Sequence, residues 1–231
     1  YIYNKLIGRQ IIRNADLCIA ITAHEIEHFI NYDVPPSCVK VIPNGINPNE
    51  FKSVDNDSFK ERHGIKGPFI LFMGRLNKIK GPDLLLDSFI GLKYKYPLLE
   101  LVFVGPDGGM LNFLKERSTR PGIHYLGYLG GKEKSQAYHA ADFLVIPSRQ
   151  EAMSIVVLEA GAAGTPVLIT DQCGFDEIES VGGGKVVEAT VESIKRGIES
   201  MIENENLVEM GRNLNHFVND NYQWDTVLGK F

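Results

Sequence analysis

Between Pro68 and Thr170, apolar runs of strand length alternate with helical patterns, and that rhythm limits the fold more than any other feature of the chain. Runs at 69–73, 101–104, 123–126, 143–146 and 167–169 read as strands, and helices are predicted near 82–95, 110–116, 132–141 and from about 152–154 to Gly164. Most of these strands are apolar throughout rather than alternating, so both faces of their sheet must be covered. This predicts an α/β fold: a parallel sheet with helices on both faces. Such sheets bind ligands in the loops at the carboxyl ends of their strands. Chemistry is therefore expected just after residues 73, 104, 126, 146 and 170.

The segment from Pro147 to Asp171 places two glutamates around one of these loops. Glu151 falls in the loop at the helix mouth and Glu159 one to two turns inside, so both are expected to face one crevice. Gly164 suits the left-handed position that closes a helix. The small-residue run from Ala160 to Gly164 predicts close packing of that helix against the sheet. Unpaired backbone N–H groups and the positive end of the helix favour a phosphate at the mouth. Carboxylates are acceptors and suit hydroxyl pairs, so Glu159 is placed on a ribose diol and Glu151 on a sugar ring. A nucleotide sugar meets all three demands; the plain alternative is a solvated loop glutamate and a helix glutamate covering a neighbour.

The spacing E-x7-E followed by A-x-A-A-G-T-P-V resembles the donor-site signature of the GT-B glycosyltransferases, in particular the retaining enzymes of glycosyltransferase family 4. Where that family has a Gly-Phe-Gly-like segment, this chain has Ala152, Met153 and Ser154. The resemblance implies a Rossmann-like domain, the C-terminal half of a GT-B fold, with Ala152, Met153, Ser154 and Ile155 offering backbone to phosphate. Gly74-Arg75-Leu76 with Lys80-Gly81 has the spacing G-R-L-x3-K-G of the family's diphosphate clamp. Arg75 and Lys80 would then stabilise the departing nucleoside diphosphate in place of a metal, and with Glu151 they form the expected catalytic set. On their own, Arg75 and Lys80 read equally as solvated cations at a helix start. Gly127, Tyr128 and Leu129 occupy the position that presents backbone to the nucleotide base, where Tyr128 could stack or pack.

The same resemblance divides the chain at residue 47. Residues 1–47 correspond to the tail of an N-terminal acceptor domain and the linker, and 48–231 to the nucleotide-sugar-binding domain with its C-terminal helices. Within the first part a helix is expected over 1–15, a buried strand over 16–22, a helix over 23–31, a strand over 39–42 and a turn at Pro43-Asn44-Gly45. Starting at Tyr1 inside a helical pattern, the chain reads as a fragment. The polar stretch 48–66 predicts a connector and a short helix; its Asp55-Asn56-Asp57 matches a metal-binding D-x-D but is read as turn residues, and no metal is expected. Tyr222-Gln223-Trp224 opens a last helix like the one that returns toward the N-terminal domain in relatives.

Composition removes other classes. A net charge of −5 without a cationic face argues against nucleic acid. Cys18, Cys38 and Cys173 lack metal or redox spacing and read as reduced, which suits a cytoplasmic protein. No apolar run reaches the length of a membrane span and no signal peptide is visible, so membrane-surface association would come only through a missing part. Gly182-Gly183-Gly184-Lys185 lacks the earlier glycine of a phosphate loop, Glu179 standing in its place, and no G-x-G-x-x-G opens the first helix of the core. His24 and His28 share a helical spacing but are assigned to surface or packing.

The sequence thus predicts the donor-binding part of a retaining enzyme that moves a sugar from a UDP- or GDP-sugar to a glycan, lipid or small-molecule acceptor, with no other cofactor. The fragment alone is expected to be inactive. A nucleotide-sugar 2-epimerase shares the fold but would need carboxylates and histidine around the sugar, a set not visible in the sequence. A non-catalytic GT-B module is the third reading.

Overall fold

The computed structural model describes residues 7–52, 57–118 and 120–229. A small parallel pair comes first: α1 (Arg9–Arg13), β1 (Cys18–Ala20), a 3-10 turn running into α2 (Ile26–Ile30), and β2 (Val39–Val41), which pairs with β1. The core follows as α3 (Asp57–His63), β3 (Phe69–Met73), α4 (Pro82–Leu92), β4 (Glu100–Val104), α5 (Leu111–Arg117), β5 (Ile123–Gly127), α6 (Gly131–Ala140), β6 (Phe143–Ile146), α7 (Ile155–Ala163), β7 (Val167–Thr170) and β8 (Gly184–Val187). Helices α8 (Val191–Ile202), α9 (Leu207–Asn221) and α10 (Trp224–Leu228) close the chain.

The six core strands are all parallel, in the order β5-β4-β3-β6-β7-β8. This is the doubly wound arrangement, with the chain reversing direction across the sheet between β3 and β6. The side-chain period of two explains the double core. Phe69, Leu71 and Met73 turn to the face covered by α3, α6, α7 and α9, while Ile70 and Phe72 join the cluster under α4, α5 and α8. Each such buried side chain contributes about 1.5–3 kcal/mol.

Four local expectations change. Residues 43–45 form no turn: they run extended, and a Cβ on Gly45 would lie 2.6 Å from the Trp224 indole, so that glycine admits the ring. Beside it Ile46 N–H donates to the Tyr222 carbonyl at 2.7 Å and Trp224 N–H donates to Ile46 at 3.3 Å. Ile19 in β1 is exposed, because this pair of strands has one uncovered face. The glycines at 182–184 lead into an unexpected edge strand, β8, where a Cβ on Gly184 would stand 2.0 Å from the Val167 carbonyl. Within the small-residue run of α7, Gly161 meets α9 rather than the sheet: it lies against Val218 and Leu214, and Asn215 Nδ2 donates to the carbonyls of Gly161 and Ala162 at 2.8 and 3.0 Å. Of the predicted helix over 1–15, residues 1–6 lie outside the described residues, as do Asp55 and Asn56 of the D-x-D pattern.

Candidate donor site at the carboxyl edge of the sheet

The loops after β3 and β6 flank the point where the sheet reverses, and they carry most of the expected site. Gly74 and Lys80 from the first meet Ser148, Glu151, Met153, Ser154 and Ile155 from the second around a cavity of about 170 Å³. Lys80 Nζ lies 2.9 Å from Glu151 Oε2, and the Ser148 hydroxyl donates to the other oxygen of the same carboxylate. Glu151 is 7% exposed, so its charge is held by these two partners and by little water. Its backbone is fixed as well: Glu151 N–H donates to Gln172 at 2.9 Å, and Ser154 N–H to Cys173 at 3.2 Å.

Ser154 is the N-cap of α7 and is fully buried, yet its hydroxyl has no hydrogen-bond partner among the described residues. A buried hydroxyl left unpaired costs free energy. Ser154 belongs to the lining of the cavity, together with Lys80 and with Ile155 and Val156 at the start of α7, where a helix leaves N–H groups unpaired. The far end of α7 closes as expected on Gly164, at φ 75°.

Arg75 is exposed, is not part of the cavity lining, and makes no ion pair among the described residues. The loop that carries it is stiff, because the ladder between β3 and β4 continues beyond the strands: Gly74 N–H donates to Val104, Leu76 N–H to Pro106, and Gly108 N–H to Leu76, at 2.9–3.0 Å. Gly105 N–H extends the pattern to Gly127 at 2.7 Å. Asp107 caps the start of α5, accepting from the N–H groups of Gly109, Met110 and Leu111. The hydrogen bond from Leu111, then that from Gly109, holds its carboxyl below the ordinary value. At the β5 end Gly127 adopts φ 69°, Leu129 is buried in the core, and Tyr128 is 77% exposed beside Gly130.

Glu159 departs from expectation. It does not line the cavity with Glu151 but turns between α7 and α6, where Lys134 Nζ lies 2.7 Å from Oε1 and the Tyr138 hydroxyl donates to Oε2 at 2.6 Å. Burial, with the Glu159 charge added, holds the Tyr138 hydroxyl well above its ordinary pKa, so it remains a donor. Lys134 and Tyr138 were not found from sequence because the partnership crosses two helices. Their i, i+4 spacing, which sets both on one face of α6, was the available signal.

His24 and His28 are both exposed, as surface positions should be. His24 and His28 line a separate cleft of about 320 Å³ with Glu25, Glu151, Asp171 and Asp176. His24 Nε2 sits 2.7 Å from Asp176 Oδ2, joining the N-terminal segment to the loop after β7. Imidazoles and carboxylates thus line one cleft on the other side of Glu151. Among the described residues no group of three or more His, Cys, Asp or Glu has metal-binding geometry, and no helix is long and apolar enough to cross a membrane.

With this geometry in view, comparison with known proteins gives one answer. Residues 53–216 match the family model Glycosyl transferases group 1, and residues 1–50 match Glycosyltransferase Family 4. The chain is 32% identical over 209 residues to the uncharacterized glycosyltransferase MJ1607 of Methanocaldococcus jannaschii, covering 85% of this chain and 53% of that protein. It is also 32% identical over 197 residues to the D-inositol 3-phosphate glycosyltransferase of Corynebacterium jeikeium, covering 78% and 46%. The chain spans about half the length of these curated relatives. In fold it is similar to Anabaena HepE, solved in complex with UDP-glucose, with a TM-score of 0.86 at 21% identity over 97% of this chain and 65% of that one. The family match runs through the loop after β3, the Glu151 loop and α7 alike, and with it the chain belongs to the group 1 glycosyl transferases, glycosyltransferase family 4, with the C-terminal GT-B fold and the tail of a family 4 N-terminal region.

Proposed function

We propose that this chain is the donor-binding part of a retaining hexosyltransferase that takes a sugar from a UDP- or GDP-sugar. The observation that carries the reading is the convergence of Lys80, the N-cap residue Ser154 and the start of α7 on one cavity whose wall is Glu151. The diphosphate lies at the helix mouth, with Lys80 and Arg75 stabilising the charge that grows as the anomeric carbon–oxygen bond breaks and its electron pair passes to phosphate. These fixed cations take the role of a metal. Glu151, its carboxylate held by Lys80 and Ser148 beside the phosphate, accepts from hydroxyls of the donor sugar. Glu159 keeps acceptor capacity beyond its two partners and takes the ribose diol. The backbone from Gly127 to Leu129 meets the base, with Tyr128 over its face.

The acceptor, a glycan, lipid or small molecule, enters with an N-terminal domain of a cytoplasmic enzyme, and the chain by itself binds donor while transferring little. The HepE complex with UDP-glucose and the complex of the same protein with UDP are consistent with such a donor. A nucleotide-sugar epimerase is the second reading, favoured by the imidazoles and carboxylates lining one cleft and opposed by the family match.

Calorimetric titration with UDP, GDP and their hexose conjugates, without added metal, tests the proposal alongside Arg75→Ala and Glu159→Ala. One nucleotide should bind, more weakly to both variants. A folded chain that binds none would reject a donor site here, and sugar transfer by the chain alone would reject the division of labour.

A further inference from the structure

Arg149 stands two residues before Glu151, close enough in sequence to carry a cation to the same cavity. Its guanidinium is engaged elsewhere. Nη1 and Nη2 donate to the two carboxylate oxygens of Asp83 at 2.9 Å each, and Nη1 also donates to the Lys78 carbonyl at 2.6 Å. This forked geometry is the one arginine makes best and lysine cannot copy. Asp83 sits in the first turn of α4 with its side chain 9% exposed, and Lys78 is its other partner. Burial alone would raise its pKa, but the hydrogen bonds and charges of Arg149 and Lys78 outweigh it and keep the carboxyl below its ordinary value.

The backbone repeats the connection. Arg149 N–H donates to Ile79 at 2.7 Å, and Gly81, at φ 69°, passes so close to the other loop that a Cβ there would stand 2.0 Å from the Pro147 carbonyl. The loop after β3 is therefore fastened to the loop after β6 at residues 78, 79, 81 and 83. Residue 80 lies between the fastenings. Lys80 N–H donates to Asn77 Oδ1 at 3.0 Å, which sets the local turn, and its ammonium is left to reach the cavity and Glu151.

We propose that Arg149 and Asp83 are positioning residues: as one bidentate unit they hold the Lys80 ammonium against the start of α7, in register for a nucleoside diphosphate. Arg149 acts here as a support rather than a phosphate ligand, since Asp83 and the Lys78 carbonyl take three of its five N–H donors and engage both terminal nitrogens. The proposal rests on the donor-site reading above. A lysine on a loose loop must be ordered each time a diphosphate arrives, whereas a bracketed one is in place beforehand.

The experiment compares UDP with UMP, and GDP with GMP, by calorimetry on the whole chain and on Arg149→Ala, Arg149→Lys, Asp83→Asn and the double variant Asp83→Asn with Arg149→Ala, with each unfolding midpoint recorded. Asp83→Asn keeps the side chain's volume and so tests the bracket if Arg149→Ala fails to fold. The expected result is that each single variant loses about tenfold or more in diphosphate affinity while monophosphate affinity stays within about twofold. The double variant should lose no more than the worse single one, because the pair acts as a unit, and Arg149→Lys should recover only part. Equal losses of diphosphate and monophosphate binding would make the pair merely structural and overturn the proposal. Loss in Arg149→Ala but not in Asp83→Asn would overturn it differently, by making Arg149 a direct ligand. If the wild-type chain binds neither nucleotide, the donor-site reading falls and takes this proposal with it.

Discussion

Replacing Gly161 by alanine separates two effects of opposite sign. In a helix interior, alanine is favoured over glycine by about 1 kcal/mol. Against this, a Cβ at 161 would lie 2.4 Å from Val218 Cγ2 and 3.1 Å from Leu214 Cγ, both of them buried in α9. The closer contact is roughly 1 Å or more short of the ~3.5–4.0 Å of carbon atoms in contact, and forcing a group into a packed core costs about 1–3 kcal/mol. Gly161→Ala should therefore be less stable than wild type by about 1 kcal/mol, a fall of about 2–4 °C in melting temperature for a chain of this size. The second half of the test is Val218→Ala, which alone leaves a hole and costs about 2–3 kcal/mol. In the double variant the new Cβ enters that hole, and the two changes should fall short of additivity by about 1–2 kcal/mol. Urea denaturation with a constant m-value gives all three numbers. An alanine variant more stable than wild type by the full helix preference, or an additive double variant, would refute the claim that α7 is held by its approach to α9.

Three further outcomes follow from the same geometry. Glu100, whose carboxylate accepts from the N–H groups of Lys66 and Gly67 at 2.7 Å and contacts His124, is kept below the ordinary 4.5: burial opposes the charge, and the bonds from His124, Lys66 and Gly67 outweigh it. A depressed carboxyl stabilises above its unfolded pKa and loses that contribution as pH falls through the folded one, so Glu100→Gln should cost about 1–3 kcal/mol near neutrality and progressively less below about pH 4 in urea titrations. Tyr138→Phe removes the hydroxyl bonded to Glu159 and should cost about 1.5–3 kcal/mol, while calorimetry shows weaker nucleoside binding and an unchanged diphosphate increment. Burial, the largest cause, pushes the Cys173 thiol up to about 11, so a thiol reagent at pH 8 should label Cys38 first and reach Cys173 only on unfolding; prompt labelling of Cys173 would contradict its burial.

What could be read in the sequence depended on whether its cause was local. The strands at 69–73 and 143–146 and the Gly164 cap were legible, because an apolar run or a left-handed glycine announces itself within a few residues. Edge strand β8 was hidden behind three glycines that suggest a loop, although two of them are small so that Leu214 and the Val167 carbonyl can come close. Gly45 misled in the same way, its neighbour Trp224 being far along the chain. In the site, Lys80 and Glu151 were each named through a motif, whereas their ion pair, the partners of Glu159, the cleft around His24 and the hold of Arg149 on Asp83 each need a contact between distant elements that spacing does not encode.

The junction at Ile46 has a mechanical consequence. If the polypeptide crossed there once, the N-terminal strands could swivel freely about a single rotatable linker. Ile46 is instead hydrogen-bonded on both sides to residues 222 and 224, with the Trp224 indole seated on Gly45. Twisting the linker about its own axis must break these bonds, so the segment that opens α10 acts as its splint, while the contact of His24 with Asp176 ties the N-terminal segment to the core at a second place.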